Sequence, residues 1–474
     1  MVNQNKKVLS ECTSILIGNK ATTDGSRIIA RSEDWAAKEA KNLEIFKDTD
    51  NGPEGFIAPD SPFRCKLDPH AFGYTALSPC TMHGCWGSAG FNTQGVGMSA
   101  TETIFSSDKS LSCDPIVDTG VGENCIFNIV LPYITTAKEG VQRLGALIKE
   151  HGIAEGFGIS FIDDKEVWYL ETACGHRWLA CRLPDKKYFI SGNQSRFIKY
   201  KKDDKNYMAS DDLIEFAADN NLYNTSDDFD FHKAYSRDAE EDTTYNYPRV
   251  WGLQKFFTPS TDNDIKVNNF PVYAEPDKKI SISKIREAFR FHYNGTEHDP
   301  YLNNNPGEPY RPVSIMRTTQ THILQVRSNL PHAIGEVNYM CMGMAALGVF
   351  IPYYQGLEEY LEPYTKGGTE CSSDSAYWKF RKVQTLGMTN YNIYAPVIQK
   401  VYSDFESKTD AKMRDMEKEY LKYYKKEPLK ANNILQTFNK DLMQEALNIT
   451  DKLTDDLFTR MTNNIESVYK FHGA

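Results

Sequence analysis

The chain has 474 residues, 40% apolar and 12% aromatic, enough for a large core over roughly two to three average domain lengths. Its formal net charge of −10 argues against a nucleic-acid groove or an anionic membrane surface, both of which need clustered Lys and Arg. Small-molecule chemistry becomes the better expectation.

The apolar runs are core-sized, "MAALGVFIPYY" among the longest, well short of the roughly 20 residues of a bilayer span. The opening "MVNQNKKVLSECTSILIG" starts basic, but "SECTS" interrupts it before a secretory core can form, so a cytoplasmic protein is expected.

Near the start, "TSILIG" and "SRIIARS" flank "NKATTDG", whose Asp24-Gly25 pair signals a turn, so the two runs read as an antiparallel hairpin. A loop centred between Ala21 and Thr22 sets Cys12 opposite Arg31, and a slip of one residue would turn the side chain to the other face. An arginine beside the thiol favours thiolate, and Asp34, three residues on, is placed to orient the groups between them. The hairpin holds no histidine to serve as base. Cleavage between Glu11 and Cys12 would supply one, because a free α-amine has an unperturbed pKa of about 7.7–8.0. Residues 1–11 would then be a leader. The plainer alternative is a buried strand cysteine, as free cysteines commonly are.

From 12 to about 195 strands dominate, including "GVGMSAT", "GFGISFID", "EVWYLETA", "HRWLACRLP" and "KYFISGN". Helices interrupt them at about 122–135 and 137–151, the second carrying Val141, Leu144 and Leu147 on one face. Such an alternation suggests layered α+β architecture. Between about 200 and 310 the chain is polar, with loops and short helices. Strand-like runs return in "THILQV" and "NYMCMGM", and a charged helical tail from about 397 breaks near Pro428. That tail reads as covering a core or a subunit contact, which leaves a homo-oligomer open.

The ten cysteines are scattered and read as reduced, buried residues. Cys80 and Cys85 bracket "TMHG", but no second ligand pair accompanies them, and neither HExxH nor GxxxxGK[ST] occurs. No metal or cofactor is expected.

The stretch "ECTSILIGNKATTDGSRIIARSED" resembles the opening of the bacterial dipeptidase A family of N-terminal nucleophile hydrolases. So do, in order, "GFNTQGVGMSATET", "WYLETACGHRWLACRLPDK", "YFISGNQSRF", "NYPRVWGLQKFF" and "SDSAYWKFRKVQ", from about 11 to 390. Cys followed by Arg and Asp three apart is also similar to bile salt hydrolases and penicillin V acylases. The resemblance implies an αββα four-layer sandwich with a helical C-terminal region, divided as leader 1–11, hydrolase domain 12–395 and helical extension 396–474. It implies Cys12 as nucleophile, Arg31 and Asp34 as groups that tune it, Asn193 as oxyanion donor and Arg249 as an active-site arginine.

Where the acylases carry a second oxyanion asparagine, ten residues after the position of Asn92, this chain has Glu102, which when ionised cannot donate. Asn92 and Glu102 are therefore expected at the substrate, with Glu102 facing a free ammonium group. Glu171, His176 and Trp178 read as hydrogen-bonding and packing residues rather than pocket lining. The implied activity is a cysteine dipeptidase acting on short peptides, with no nucleic-acid or membrane partner. The alternatives are an acylase of non-peptide amides and a non-catalytic relative that keeps its leader.

Overall fold

β1 (Glu11–Ile17) and β2 (Arg27–Asp34) are the hairpin around which the rest of the chain is laid. The structure, a computed structural model, describes residues 11–82, 84–302 and 310–468, and residues 1–10 of the expected leader lie outside them. Both faces of the hairpin are buried, which is why the apolar residues at 15–17 and 28–30 run without alternation.

Cys12 pairs with Glu33 and Ser14 with Arg31, two residues away from the register read from the sequence. The cause is the connection, whose midpoint falls between Thr22 and Thr23, with Asp24-Gly25 forming a turn at its end rather than at its centre. Thr22 bridges to Ile280 and Lys20 N–H donates to Asp185 O, so distant segments hold this loop. A shift of two keeps side-chain parity, and Cys12 and Arg31 still share one face.

The hairpin is the centre of a seven-stranded antiparallel sheet. Its order is Tyr273–Ala274, Tyr188–Ser191, β1, β2, Thr318–Val326, Glu336–Met342 and Ile351–Tyr354. A six-stranded antiparallel sheet faces it, ordered Tyr207–Ala209, Arg177–Arg182, Val167–Cys174, Phe157–Ile162, Gly97–Thr103 and Ala89–Phe91. Between the sheets Leu16, Ile29 and Leu324 meet Phe91, Ile162 and Tyr169. On the other face of the larger sheet Ile15, Ala30 and Ile323 pack with helices Tyr247–Phe257, Ile282–Phe289 and Ala376–Met388. The outer face of the smaller sheet presents Met98, Ile159 and Phe161 to helices Glu123–Val130 and Ala137–His151. Helix Ala137–His151 sits close because Gly140 lies on Phe161, where a Cβ would meet the ring at 2.5 Å. The result is the expected αββα sandwich.

Two long helices follow, Tyr391–Tyr423 and Pro428–Val468, the second opening on the expected proline. Their buried Tyr402, Phe405, Met413, Leu435, Leu442 and Leu457 join the apolar cluster behind the larger sheet. Residue 395, read as a domain boundary, falls inside the first of these helices, next to Pro396. Among the described residues, no helix is long and apolar enough to cross a membrane.

Candidate active site

Cys12 points into the layer between the sheets and is fully buried. Arg31, on the neighbouring strand, donates through Nη1 to Cys12 Sγ at 2.9 Å and to Thr101 O at 2.8 Å. Its Nη2 donates to Ala100 O at 2.5 Å and Ser88 O at 3.3 Å, so the guanidinium is locked by carbonyls of the facing sheet. The thiol donates to Thr101 O at 3.4 Å. Burial pushes the thiol pKa up to about 12, against the opposing pull of Arg31 and with Glu123, Glu33 and Asp34 adding to the rise. In this state, with Glu11 still attached, the sulfur is a thiol at neutral pH.

Behind Arg31 runs a chain of hydrogen bonds whose direction the partners dictate. Gln320 Nε2 donates to Glu33 Oε2 at 3.1 Å, which leaves Gln320 Oε1 to accept from His322 Nδ1 at 3.0 Å. His322 Nε2 then accepts from Ser99 Oγ at 2.8 Å, and Ser99 Oγ accepts from Arg31 Nε at 3.2 Å. Burial, and then Arg31, hold the His322 pKa well below its usual value, in keeping with this neutral tautomer. Glu33 is ion-paired to Lys41 and lies 3.6 Å from Arg31. Burial raises its pKa, but the two cations outweigh it and bring the carboxyl down to about 2.

Asn193 reaches the backbone of the cysteine. Its Oδ1 accepts from Cys12 N–H at 3.0 Å and from Arg249 Nη2 at 3.0 Å, while Nδ2 donates to Thr103 O at 3.1 Å. Two obligate donors and one carbonyl fix the amide orientation. Asn193 adopts φ +72°, a left-handed conformation that asparagine tolerates better than most residues. Arg249, fully buried in helix Tyr247–Phe257, donates to Cys12 O at 2.5 Å, Thr13 Oγ1 at 2.9 Å and Gly192 O at 2.6 Å. It clamps the main chain of the cysteine to the loop of Asn193.

Two other expectations are corrected, for Glu102 and Asn92, and for Asp34 the expected contact is replaced by an effect through charge. Asp34 is fully buried, but its carboxylate is bonded to Arg311 and accepts from Thr318 Oγ1 at 2.5 Å, not from Cys12. Strand alternation puts its side chain on the face opposite Cys12. Glu102 does not meet a ligand through an open carboxylate: it is 1% exposed, accepting from Asn193 N–H at 2.7 Å and from Tyr169 O–H at 2.8 Å. It holds the Asn193 loop. Asn92 is a structural turn residue, since Nδ2 donates to Leu131 O and Ile134 O and Oδ1 accepts from Gln94 and Val96 N–H. All its hydrogen-bonding capacity is spent within the fold.

Glu171 accepts from Ser195 Oγ and Arg196 N–H, and His176 pairs with Asp114. Trp178 belongs to the apolar core. These match their reading as structural residues.

Beside Glu33, the cross-strand partner of Cys12, a cavity of about 200 Å³ opens, walled also by Trp35, Trp86, Glu39, Lys41 and Glu123. Sequence reasoning did not single out Glu33, His322 or Glu123. Alternation from Arg31 pointed to Glu33, while His322 and Glu123 come from distant elements and carried no local signal. Among the described residues no group of His, Cys, Asp or Glu is arranged to hold a metal.

The sequence pattern of peptidase family C69 matches residues 11–404. A probable dipeptidase of Salmonella dublin is 47% identical over 361 residues, covering 75% of this chain and 83% of its own. The probable dipeptidase B of Lactococcus lactis is 31% identical over 470 residues, covering 97% and 98%. The dipeptidase A of Lactobacillus helveticus is 29% identical over 478 residues, covering 98% and 97%. Among solved structures, a variant of the conjugated bile acid hydrolase from Clostridium perfringens covers 70% of this chain and 89% of its own at 9% identity, with a TM-score of 0.26. By the extent of the family match and the length of these alignments, the chain belongs to peptidase family C69 and is a cysteine-type peptidase.

Proposed function

We propose that the protein is a cysteine dipeptidase in which Cys12, its amine freed by removal of residues 1–11, attacks the scissile amide of a short peptide. The observation that carries this reading is the hold on both ends of one residue. Asn193 Oδ1 takes the Cys12 N–H while Arg31 lies 2.9 Å from its sulfur. The printed names of the relatives support the substrate class.

While Glu11 is attached, the Cys12 nitrogen is an amide and takes up no proton. Once freed, it becomes an amine that Asn193 still orients and that accepts the thiol proton. Arg31 stabilises the thiolate left behind. The sulfur adds to the carbonyl carbon, and the second Nδ2 hydrogen of Asn193 meets the resulting oxyanion. Collapse breaks the C–N bond, and the leaving amine departs with the proton held by the Cys12 ammonium. A thioester remains, which water hydrolyses with the same amine as base. Glu102 and Arg249 act as positioning residues, through the Asn193 loop and the Cys12 carbonyl.

Intact mass and N-terminal sequencing of wild type and Cys12→Ala test the processing. The expected result is a wild type that begins at Cys12 and a variant that keeps its leader. A panel of dipeptides, penicillin V and conjugated bile acids tests the substrate class. Cleavage confined to the acyl amides would replace dipeptidase by acylase, and a wild type that cleaves dipeptides with its leader attached removes the amine base.

A further inference from the structure

The cavity beside Glu33, one strand from Cys12, holds an imbalance of charge. Glu33 is matched by Lys41 and Arg31, and Arg31 is itself committed to the thiol and to carbonyls of the facing sheet. Glu123, at the start of helix Glu123–Val130, is different: it makes no ion pair with any described residue. Its backbone N–H donates to Glu155 Oε1 at 2.9 Å, which places another carboxylate next to it. Burial, then Glu155 and Glu33, raise its pKa to about 8, against the pull of Arg31. The cavity lining also contains Trp86, whose indole N–H is buried with no acceptor among the described residues. One wall thus lacks a cation and another lacks an acceptor, and a zwitterionic peptide supplies both.

The position relative to the sulfur fits the same occupant. The Glu123 side chain hydrogen-bonds Thr101, whose carbonyl accepts from Cys12 Sγ at 3.4 Å. Glu123 and the thiol are therefore neighbours across one residue. In an aminoacyl group the α-ammonium is two bonds from the scissile carbonyl carbon, so a carbonyl at the sulfur carries its ammonium to this wall. The volume, about 200 Å³, is below the roughly 300–1,000 Å³ of common ligand pockets and suits a small occupant.

We propose that Glu123 receives the free α-ammonium of the substrate and thereby restricts cleavage to the bond after an N-terminal residue. This rests on the dipeptidase reading and names the group that enforces it. The role expected of Glu102 passes to Glu123, because both Glu102 oxygens are used inside the fold.

The test compares processed wild type, Glu123→Gln and Glu123→Asp on the aminoacyl-alanine that wild type cleaves fastest and on its 2-hydroxyacyl isostere, in which hydroxyl replaces ammonium. Wild type is expected to favour the amine by about 30-fold or more in kcat/KM, the scale of removing one partner from a desolvated charge pair. In Glu123→Gln that preference falls to a few-fold, through a raised KM for the amine, while the isostere, which brings no ammonium, loses far less. Retained cleavage of the isostere also reports an intact fold. Glu123→Asp keeps the charge and is expected to retain most of the preference. A Glu123→Gln enzyme with unchanged KM and preference, or a wild type indifferent to the two substrates, overturns the inference and leaves the dipeptidase reading standing. A wild type that cleaves no dipeptide overturns that reading itself.

Discussion

One face of three adjacent strands holds two different interiors. Toward the hairpin turn Leu16, Ile29 and Leu324 lie abreast and pack against the facing sheet. Toward the other end, on the same face, lie Cys12 and Glu33, Arg31 and His322, with Gln320 beside them. The apolar half is held by area and shape, which tolerate small changes with small costs. The polar half is held by matched donors and acceptors, where a single missing partner leaves a buried group unsatisfied. Apolar packing and chemistry thus occupy opposite ends of one surface.

Substitutions that respect or cross this division should separate the two. Cys12→Ala is expected to lower turnover by roughly 10⁴-fold or more while preserving the circular dichroism of the wild type, since it removes the nucleophile and little packing. Asn193→Ala should cost on the order of 10²–10³ in kcat with a smaller change in KM, measured by steady-state kinetics. A loss confined to KM would remove the oxyanion role.

The charged half should also carry an acid-sensitive share of stability. The Glu33 carboxyl, held at about 2 against an ordinary value of 4.5, stabilises the fold above pH 4.5. That contribution, on the order of 3 kcal/mol, is lost as pH falls from about 4.5 through about 2. Urea midpoints across this window should flatten in Glu33→Gln, and an unchanged slope would mean that other carboxylates set it. Smallest is the effect in the apolar half: Ile29→Val should cost about 0.5–1.5 kcal/mol in urea unfolding at every pH, with wild-type kcat. If it instead lowered kcat without destabilising, the two halves would not be separable.

Much of this arrangement was legible. The apolar runs, the Asp24-Gly25 turn and the helical period over 137–151 announced the hairpin and the layers. Cys12, Arg31, Asn193 and Arg249 were named and do meet. The register was missed by two because distant segments hold the loop, yet the face survived because strand parity has a period of two. Asp34, three residues from Arg31, falls on the opposite face by the same parity and reaches the thiol through its charge rather than through a hydrogen bond. Glu102 and Asn92 were given to the substrate, but a carboxylate and an amide look alike in sequence whether their partners are ligands or their own chain. Glu123 was passed over because nothing near it in the chain marks it.

By itself, then, the sequence determined what is local and periodic: the strands and helices, and that residues two apart on a strand, such as Arg31 and Glu33, share a face. Alternation and helical spacing are properties of neighbours along the chain. Only the tertiary structure decided which polar groups are satisfied within the fold and which face the cavity. Asn193 meets Cys12 across 181 positions and Arg249 meets it across 237. The environment of a buried polar group depends on partners that no local pattern encodes.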